Sequence, residues 1–441
     1  MTAPMWSYYP ELLEKPVPRY TSYPTAAEFG PDLGEADLDA ALRQAGGDVS
    51  LYLHIPFCEK ICWYCGCNTA ANNKAQRLSS YLDALHREIA LVGVRLEYSV
   101  AVRRIAFGGG SPNAVAPTDF VRLVDALTLH MPLEDPVWSI ELDPRGLSEE
   151  WGAVLAAVGV RYASLGVQTF DPALQAAIGR IQPDADLVSA TDLLRRSGIT
   201  SLNFDLMYGL PGQSLAQLEA TLQRTVELGA DRIALFGYAH VPNLLPRQRR
   251  IDASHLPDQA ARFAMARFGF QYLTAAGYVP IGFDHFAQAS DPLARAALTG
   301  QLRRNFQGFT DDQATTLIGL GASAIGIYPD LLIQNEKNAG RYRTLISQDG
   351  LPAAGGVRRS PDDQRRSAVI AALLCQGEAA IDGDLRTEVA AALAPFIARG
   401  LARWNDTVLQ IQPGGLPYAR KIAALFDPYR QDSARRFSSA V

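Results

Sequence analysis

The sequence has no long hydrophobic run and little net charge. No window of about 18 uninterrupted apolar residues occurs, and the N-terminus lacks a basic segment followed by an apolar one, so we expect a cytoplasmic protein without stable membrane insertion. The 41 Lys and Arg side chains against 46 Asp and Glu give a net charge of -5. This balance argues against a nucleic-acid-binding protein.

Cysteine is also scarce, and its distribution is uneven. The chain has five cysteines, an odd number, and Cys58, Cys62, Cys65 and Cys67 stand close together. Such crowding does not suit the disulfide framework of a secreted protein. These four residues therefore indicate metal or cluster binding in a reducing compartment, whereas the isolated Cys375 is interpreted as a small buried hydrophobic residue.

Short apolar runs alternate with helical patterns through most of the chain. Six strands, each followed by a helix, are predicted, and a seventh run, YVPIGFDHFA, extends the pattern. Continuous apolar strands are expected where helices cover a parallel sheet. Periodicity alone does not distinguish an open sheet from a barrel, but polar residues recur at the strand ends, where barrel active sites are built.

The two ends of the chain are predicted to form separate units. We expect an arm or lid over residues 1–48, a barrel with its extension over 49–345, and a small, mainly helical, winged-helix-like domain over 350–441. The arm is rich in Pro and Tyr and has few periodic apolar positions. We therefore expect the arm to contribute little to the core.

The cysteines are spaced as CxxxCxxC directly after the first predicted strand. Three thiolates on one short loop suit a cuboidal iron-sulfur cluster. The alternative is a structural zinc site, but such sites usually combine two pairs of ligands about 12 to 20 residues apart. The sequence has no second pair, which favours the cluster.

Two motifs together resemble a known superfamily. The CxxxCxxC loop after the first strand, and the glycine run Gly108–Gly110 after the second, are similar to those of radical S-adenosylmethionine (SAM) enzymes. The resemblance implies an α/β fold, a partial (β/α)6 TIM-like barrel, with a 4Fe-4S cluster ligated by Cys58, Cys62 and Cys65. It also implies that the glycines let the backbone lie against the methionyl amino group of SAM.

A narrower resemblance extends almost from end to end. Segments such as RYTSYPTA, CGCN, DLMYGLPGQ and GFDHFA are similar to those of oxygen-independent coproporphyrinogen III oxidases. The resemblance implies an oxidoreductase of haem biosynthesis that converts coproporphyrinogen III to protoporphyrinogen IX with a 5′-deoxyadenosyl radical. Cys67 and the arm favour this family over related haem-trafficking proteins. Haem binding and delivery, or another radical SAM reaction on a tetrapyrrole, are the alternatives.

The same resemblance implies which residues contact SAM, of which this family binds two molecules. The contacts to the cluster-bound SAM are Tyr52, Gly109, Glu141 and Ile325. The contacts to the second SAM are Tyr64, Gly110, Ser111, Gln168, Arg180, Asp205 and Ala239. Elementary chemistry supports Glu141, Asp205 and Arg180 independently. The ribose diol and the ammonium group of SAM need carboxylates, and the SAM carboxylate needs a guanidinium group. Taken alone, Arg180 also suits a structural ion pair.

The implied substrate is a tetracarboxylate, so cations are expected near the barrel mouth. Arg19 and Tyr20, in the arm, are the substrate-contact candidates. The further basic candidates, for which plain surface charge is the alternative, are Arg247, Arg249, Arg250, Arg303 and Arg304. Asp284 and His285 are interpreted either as functional or as a buried hydrogen-bonded pair. We also expect a flavodoxin or ferredoxin as electron donor and a monomeric protein.

Overall fold

A computed structural model describes residues 6–71 and 75–430. Its helices are α1 (Pro10–Leu13), α2 (Glu35–Gln44), α3 (Ala75–Gly93), α4 (Pro117–His130), α5 (Glu149–Val158), α6 (Pro172–Ala177), α7 (Asp184–Arg196), α8 (Leu215–Glu227), α9 (Gln259–Ala275), α10 (Pro292–Leu298), α11 (Ala339–Ser347), α12 (Pro361–Cys375), α13 (Gly383–Ala398) and α14 (Ala419–Ala423).

The strands alternate with these helices along the chain. They are β1 (Gly47–Ile55), β2 (Phe57–Cys58), β3 (Ala70–Ala71), β4 (Val100–Gly109), β5 (Leu133–Leu142), β6 (Tyr162–Gln168), β7 (Ser201–Tyr208), β8 (Arg232–Gly237), β9 (Val279–Ile281), β10 (His285–Ala287), β11 (Arg303–Asn305), β12 (Gly308–Thr310), β13 (Thr316–Leu320), β14 (Ile325–Tyr328), β15 (Leu331–Asn335), β16 (Ala353–Arg358), β17 (Glu378–Ala380), β18 (Ala402–Asn405) and β19 (Val408–Ile411).

Six parallel strands form the centre of the main sheet. The order β1-β4-β5-β6-β7-β8 follows the chain, and helices connect each strand to the next. The sheet does not close on itself, because β13 pairs with β1 at one end and β10 pairs with β8 at the other. The predicted α/β fold with a partial (β/α)6 barrel is therefore confirmed.

Local signals in the sequence fix the ends of several of these helices. Ser214 caps α8 by accepting a hydrogen bond from the backbone of Gln217, whose side chain bonds back to the capping residue. Ser360 and Asp363 form the same capping box at the start of α12. Such boxes satisfy N–H groups that the first helical turn leaves without partners. These capping residues therefore mark where the two helices begin.

The seventh predicted run departs from the repeating pattern. Residues 282–284 form a turn, so that the run divides into β9 and β10, which pair with each other in antiparallel fashion. β10 is also antiparallel to β8. A continuous apolar run predicts a strand but not its direction, and the prediction of a seventh unit of the same kind is wrong here.

The arm is packed into the protein much more closely than its sequence pattern indicates. Its buried apolar and aromatic side chains, prolines aside, are Trp6, Leu12, Leu13, Val17, Tyr20, Tyr23, Leu38, Leu42 and Ala45. The Tyr9 N–H donates to the Tyr418 hydroxyl at 2.9 Å, and the Tyr20 hydroxyl donates to Asp427 Oδ2 at 2.9 Å. The expectation that the arm adds little to the core is therefore wrong. The sequence pattern did not show this burial because these two hydrogen-bond partners of the arm lie near the opposite end of the chain.

The C-terminal region contains helices α12, α13 and α14 and a small three-stranded sheet of order β17-β19-β18. The helix, helix, hairpin and helix order agrees with the sequence pattern. The main sheet itself extends to β16, where Gly356 exchanges backbone hydrogen bonds with Gly30 of the arm. The domain boundaries at 48, 345 and 350 stay a prediction. No helix among the described residues is long and apolar enough to cross a membrane.

A buried carboxyl group joins α3 to the sheet close to the end of β1. Glu88 Oε2 accepts hydrogen bonds from the Gly321 N–H at 2.7 Å and the Tyr342 hydroxyl at 2.6 Å. Its Oε1 accepts from Asn335 Nδ2 at 3.0 Å. Burial is the main cause that raises the pKa of Glu88 from 4.5 to about 7, although these donors act in the opposite direction.

We expect Glu88→Ala to lower the free energy of unfolding by about 2–4 kcal/mol, because three buried donors lose their acceptor. The raised pKa also sets a pH dependence, since the folded protein holds this proton more tightly than the unfolded chain. The contribution of Glu88 is largest below about pH 4.5 and declines by about 3 kcal/mol as the pH rises through about 7. Urea unfolding at several pH values measures it. Parallel stability profiles for the natural protein and Glu88→Gln would contradict the assignment.

Candidate active site

The cysteine loop leaves the carboxyl end of β1. Its two ends are held together because β2 and β3 pair in parallel, with Cys58 opposite Ala71. Cys58 and Cys62 are buried, Cys65 is partly buried and Cys67 is exposed, and all four are free thiols. The pKa of Cys65 is lowered to about 6, first because the Cys67 side chain hydrogen-bonds to it. A lowered pKa favours the thiolate, which is the form that binds iron.

The geometry of this loop fits the cluster implied by the sequence. Among the described residues, no three His, Cys, Asp or Glu side chains converge as ligands of a single ion. A cuboidal cluster does not need such convergence, because each thiolate binds a different iron. Cations also face the loop: Arg180 Nη1 lies 3.1 Å and Arg145 Nη2 lies 3.6 Å from Cys62 Sγ. The two guanidinium groups thus bring positive charge to the anionic ligands that a cluster would need.

The glycine run at the end of β4 lies directly against this loop. The Gly110 N–H donates to the Ile55 carbonyl at 2.9 Å, and the Ser111 N–H donates to the Phe57 carbonyl at 2.8 Å. A Cβ atom at Gly110 would overlap the backbone of Phe57, and Gly109 has a φ of 105°. The glycines are therefore needed for contact between two parts of the protein, and the contact of Gly109 and Gly110 with SAM stays a prediction.

We expect Gly110→Ala to displace the cysteine loop. The added methyl group meets backbone atoms that cannot rotate away, so the cost is about 1–3 kcal/mol, and iron incorporation should fall. Gly383→Ala is the matched control, because a Cβ there would meet no atom within 4 Å. Iron content and thermal unfolding of the two variants measure the effect. Equal iron content in both variants would contradict the role of Gly110.

Two carboxylates face the same interior from β5 and β7, the strands on either side of β6. Glu141 Oε2 accepts the Gly109 N–H at 3.1 Å, and burial raises its pKa to about 7. Asp205 accepts hydrogen bonds from Ser164 Oγ at 2.9 Å and Asn203 Nδ2 at 2.8 Å, and burial raises its pKa as well. Burial disfavours the charged form of both carboxyl groups. A ligand ammonium group would stabilise the carboxylate form, and a ligand hydroxyl group would donate a hydrogen bond to it.

Arg180 belongs to a polar network beneath the cysteine loop. It is buried, donates to the Gly166 carbonyl, and lies 3.4 Å from Asp143 Oδ1. Arg145 Nη2 pairs with the same carboxylate at 2.6 Å. Arg180 thus has the structural ion pair that the sequence left as an alternative, and its contact with SAM stays a prediction. Arg145 was not predicted from the sequence.

Tyr52 and Ile325 lie on either side of Gly319. Tyr52 is opposite Gly319 in the β1–β13 register, and a Cβ at Gly319 would lie 2.8 Å from the backbone of Ile325. The Tyr52 hydroxyl is 3.2 Å from His54 Nδ1, and its ring meets Phe306 edge to face at 4.7 Å. The structure therefore brings together two positions that the sequence assigned to one ligand.

Several residues predicted to contact a second ligand lie in or beside the cysteine loop. Gln248 Nε2 donates to the carbonyls of Tyr64 and Ala239, both at 3.0 Å. Ser111 Oγ lies 3.7 Å from Cys58 Sγ. Gln168 is buried with a φ of 66°, an unusual conformation for a residue with a side chain. Gln248, which joins two of these positions, was missed because it stands in a basic run, PRQRR, that suggests an exposed surface.

Comparison with known proteins decides the family. The Radical SAM superfamily model matches residues 52–225. An oxygen-independent coproporphyrinogen III oxidase of Bradyrhizobium diazoefficiens is 39% identical over 97% of this chain and 98% of its own length. The corresponding protein of Escherichia coli is 36% identical over 96% of both chains. This chain belongs to the oxygen-independent coproporphyrinogen III oxidase family.

Structural similarity agrees with this membership. A solved structure of coproporphyrinogen III oxidase from Escherichia coli, described as a radical SAM enzyme, has a TM-score of 0.91 and 34% sequence identity, over 97% of this chain and 100% of that one. The family prediction is confirmed, and with it the radical SAM oxidoreductase class and the requirement for a 4Fe-4S cluster and SAM. Family membership favours the oxidase over the haem-trafficking alternative.

Arg19 and Tyr20, the two substrate-contact candidates of the arm, face different parts of the protein. The Arg19 guanidinium lies 4.7 Å above the ring of Phe236, at the carboxyl end of β8. Tyr20 is buried, and its hydroxyl bonds to Asp427, so it faces the C-terminal region in this conformation. Arg304 fixes the arm here by donating to the carbonyls of Arg19 and Tyr20, both at 3.1 Å. Contact of either residue with substrate stays a prediction.

Asp284 and His285 form a pair in which Oδ1 and Nδ1 are 2.6 Å apart. Burial alone would raise the pKa of Asp284, but the charges of His285 and Arg304 lower it to about 2.

The remaining basic candidates do not lie together. Arg247 bonds to Thr69 Oγ1 at 3.3 Å in the cysteine loop. The exposed members of the set are Arg249, Arg250 and Arg303.

Proposed function

We propose that this protein removes two propionate carboxyl groups of coproporphyrinogen III oxidatively, without oxygen, and forms protoporphyrinogen IX. The observation that carries this proposal is the CxxxCxxC loop, packed against the glycine run in a family of coproporphyrinogen III oxidases. When bound, the 4Fe-4S cluster and SAM supply a 5′-deoxyadenosyl radical that takes one hydrogen atom from the propionate β-carbon, and each vinyl group then forms with loss of carbon dioxide and of one electron to an external acceptor. The protein supplies binding, orientation and exclusion of water.

In this proposal Cys58, Cys62 and Cys65 hold the cluster. Glu141 lies beside Gly109 and is placed to receive a cationic or hydroxyl group of SAM. Tyr52 and Phe306 form an aromatic wall on the same side. Apolar surfaces of this kind keep water away from a reactive carbon radical. Burial of the carboxylate also strengthens its attraction for an ammonium group.

We propose that this protein binds a second SAM beside the cysteine loop. The residues assigned to it are Tyr64, Gly110, Ser111, Gln168, Arg180, Asp205 and Ala239. Asp205 supplies a carboxylate and Arg180 a guanidinium, which suit opposite ends of SAM. Equilibrium dialysis of the anaerobic protein should find two SAM molecules per chain, one of which is lost in Asp205→Ala. A stoichiometry of one in the natural protein would contradict the second site.

A group of arginines suits the carboxylates of the substrate. Arg19 and Arg420 line a cavity together with Asp284 and Tyr208. Burial, followed by the charge of Arg19, lowers the pKa of Arg420 to about 10. Arg304 adds a further positive charge near the same Asp284. An anionic propionate would offset the excess of positive charge in this cavity.

The proposed function is tested by anaerobic reconstitution of the cluster, followed by incubation with SAM, dithionite and coproporphyrinogen III. Loss of two carbon dioxide molecules per substrate, detected by mass spectrometry of the product, is the expected result. Tight haem binding without conversion would favour the haem-trafficking alternative.

We further propose that the protein is a monomer in the cytoplasm and that flavodoxin or ferredoxin reduces it. The free thiols of the cysteine loop support a reducing compartment.

A further inference from the structure

A cavity of about 470 Å³ lies behind the cysteine loop, outside the barrel interior. One wall is formed by residues on both sides of the cysteines, Phe57 before them and Ala70 after them. These two residues are opposite each other in the β2–β3 pair that closes the loop. The cavity therefore reaches the backbone that carries the cluster ligands from the outer side.

The opposite wall is made by the start of α11 and by α3. Asn68 Nδ2 in the cysteine loop donates to the Lys337 carbonyl at 3.0 Å, which ties this wall to the loop. Asn338 caps α11 by accepting from the N–H groups of Gly340 and Arg341. The two walls thus form one surface, and this surface extends from solvent to the cysteine loop.

The charge of this cavity is of one sign. Its charged lining residues are Arg77, Lys337 and Arg343, and none of the described residues that line it is acidic. None of these three forms a salt bridge within residues 6–71 and 75–430, whereas the neighbouring Arg87 pairs with Asp349. The whole chain has a net charge of -5. A cationic surface on an acidic protein indicates a site that attracts an anionic partner.

We propose that this cationic cavity, lined by Arg77, Lys337 and Arg343, is the docking surface for an acidic one-electron carrier protein. The proposal rests on the proposed function, which requires an external electron. One electron leaves the reduced carrier and reaches the metal group held by the cysteines. The carrier is oxidised by one electron, that group is reduced by one, and no bond forms or breaks.

A protein partner explains this cavity better than a small anion. A small anion such as phosphate would satisfy the positive charge, but it brings no electron to the loop. The wall behind Phe57 and Cys58 is also a short covalent route from the surface to a cluster ligand. Matched charges at such a surface raise the rate of encounter more than the final affinity.

The test compares two double variants of the holoenzyme that change the net charge equally. Arg77→Glu with Lys337→Glu alters the cavity, and both positions are exposed. Arg122→Glu with Arg403→Glu is the control, with exposed positions on α4 and β18. Turnover is measured with a reduced acidic flavodoxin and separately with dithionite. Binding of oxidised flavodoxin is measured by calorimetry at low and high salt.

We expect the cavity variant to lose flavodoxin binding and flavodoxin-driven turnover by about tenfold or more at low salt. The difference should shrink as salt is added, while dithionite-driven turnover stays normal and the control behaves like the natural protein. Equal flavodoxin binding in both variants would overturn the proposal. So would unchanged flavodoxin binding combined with loss of inorganic phosphate binding. Absence of dithionite-driven conversion in the natural protein would instead contradict the proposed function.

Discussion

Each of the single variants Cys58→Ala, Cys62→Ala and Cys65→Ala should lose the 4Fe-4S cluster and all SAM cleavage. Each residue supplies one thiolate of the CxxxCxxC loop, and a cuboidal cluster that lacks one protein ligand is not retained through purification. The fold should persist, because the loop is closed by the β2–β3 pair and by the Gly110 backbone independently of the thiols. Iron content and visible absorption after anaerobic reconstitution measure the loss.

Two other cysteines serve as controls for this experiment. Cys67→Ala should retain the cluster, because Cys67 is exposed and follows the motif. Cys375→Ala should retain it as well, since Cys375 is buried in α12 and burial raises the pKa of its thiol to about 12. Loss of iron in the Cys67 variant, with retention in the Cys65 variant, would show that the ligands are wrongly assigned.

Deletion of residues 1–30 is expected to prevent folding of the protein. The deletion removes six buried apolar or aromatic side chains, from Trp6 to Tyr23. Each contributes roughly 1.5–3 kcal/mol of burial, and the sum is comparable with the whole stability of a typical domain, about 5–15 kcal/mol. Circular dichroism and the soluble yield of the truncated protein measure the effect. A soluble, cooperatively unfolding truncated protein would contradict this role of the arm.

A single substitution separates the stabilising role of the arm from its proposed contact with substrate. Arg19 is only partly buried and lies over Phe236, so Arg19→Ala removes a charge and leaves the buried side chains of the arm in place. Vinyl formation should fall by about 100-fold if substrate is misplaced, while dithionite-driven SAM cleavage continues. Arg399→Ala, at a surface pair with Glu11, is the control.

Local patterns explain why so much of the barrel could be predicted from the sequence. The six parallel strands are continuous apolar runs, and polar residues such as Glu141 and Asp205 stand out inside them. The cysteine loop and the glycine run are short motifs whose meaning depends on their position after a strand. Each of these signals lies within a few residues, so no knowledge of distant contacts is needed.

The features that were missed depend on contacts between distant parts of the chain. Tyr20 meets Asp427, and Gln248 meets the carbonyl of Tyr64, although neither pair shares a local pattern. The arm is irregular, so its buried residues follow neither the helical nor the strand period. The turn at residues 282–284 reverses the chain between β9 and β10. An apolar run has the same composition whether it forms one strand or two antiparallel strands, so its sequence does not reveal this turn. Tertiary packing decides all of these features.

The contact between the arm and the C-terminal region also determines the order in which the molecule is assembled. Tyr418 and Asp427 follow their partners Tyr9 and Tyr20 by 409 and 407 residues along the chain. The arm is made before these partners and cannot dock on them until they have left the ribosome. The barrel strands and the cysteine loop precede them along the chain. Docking of the arm is therefore a late step, which follows synthesis of the barrel strands and of the cysteine loop.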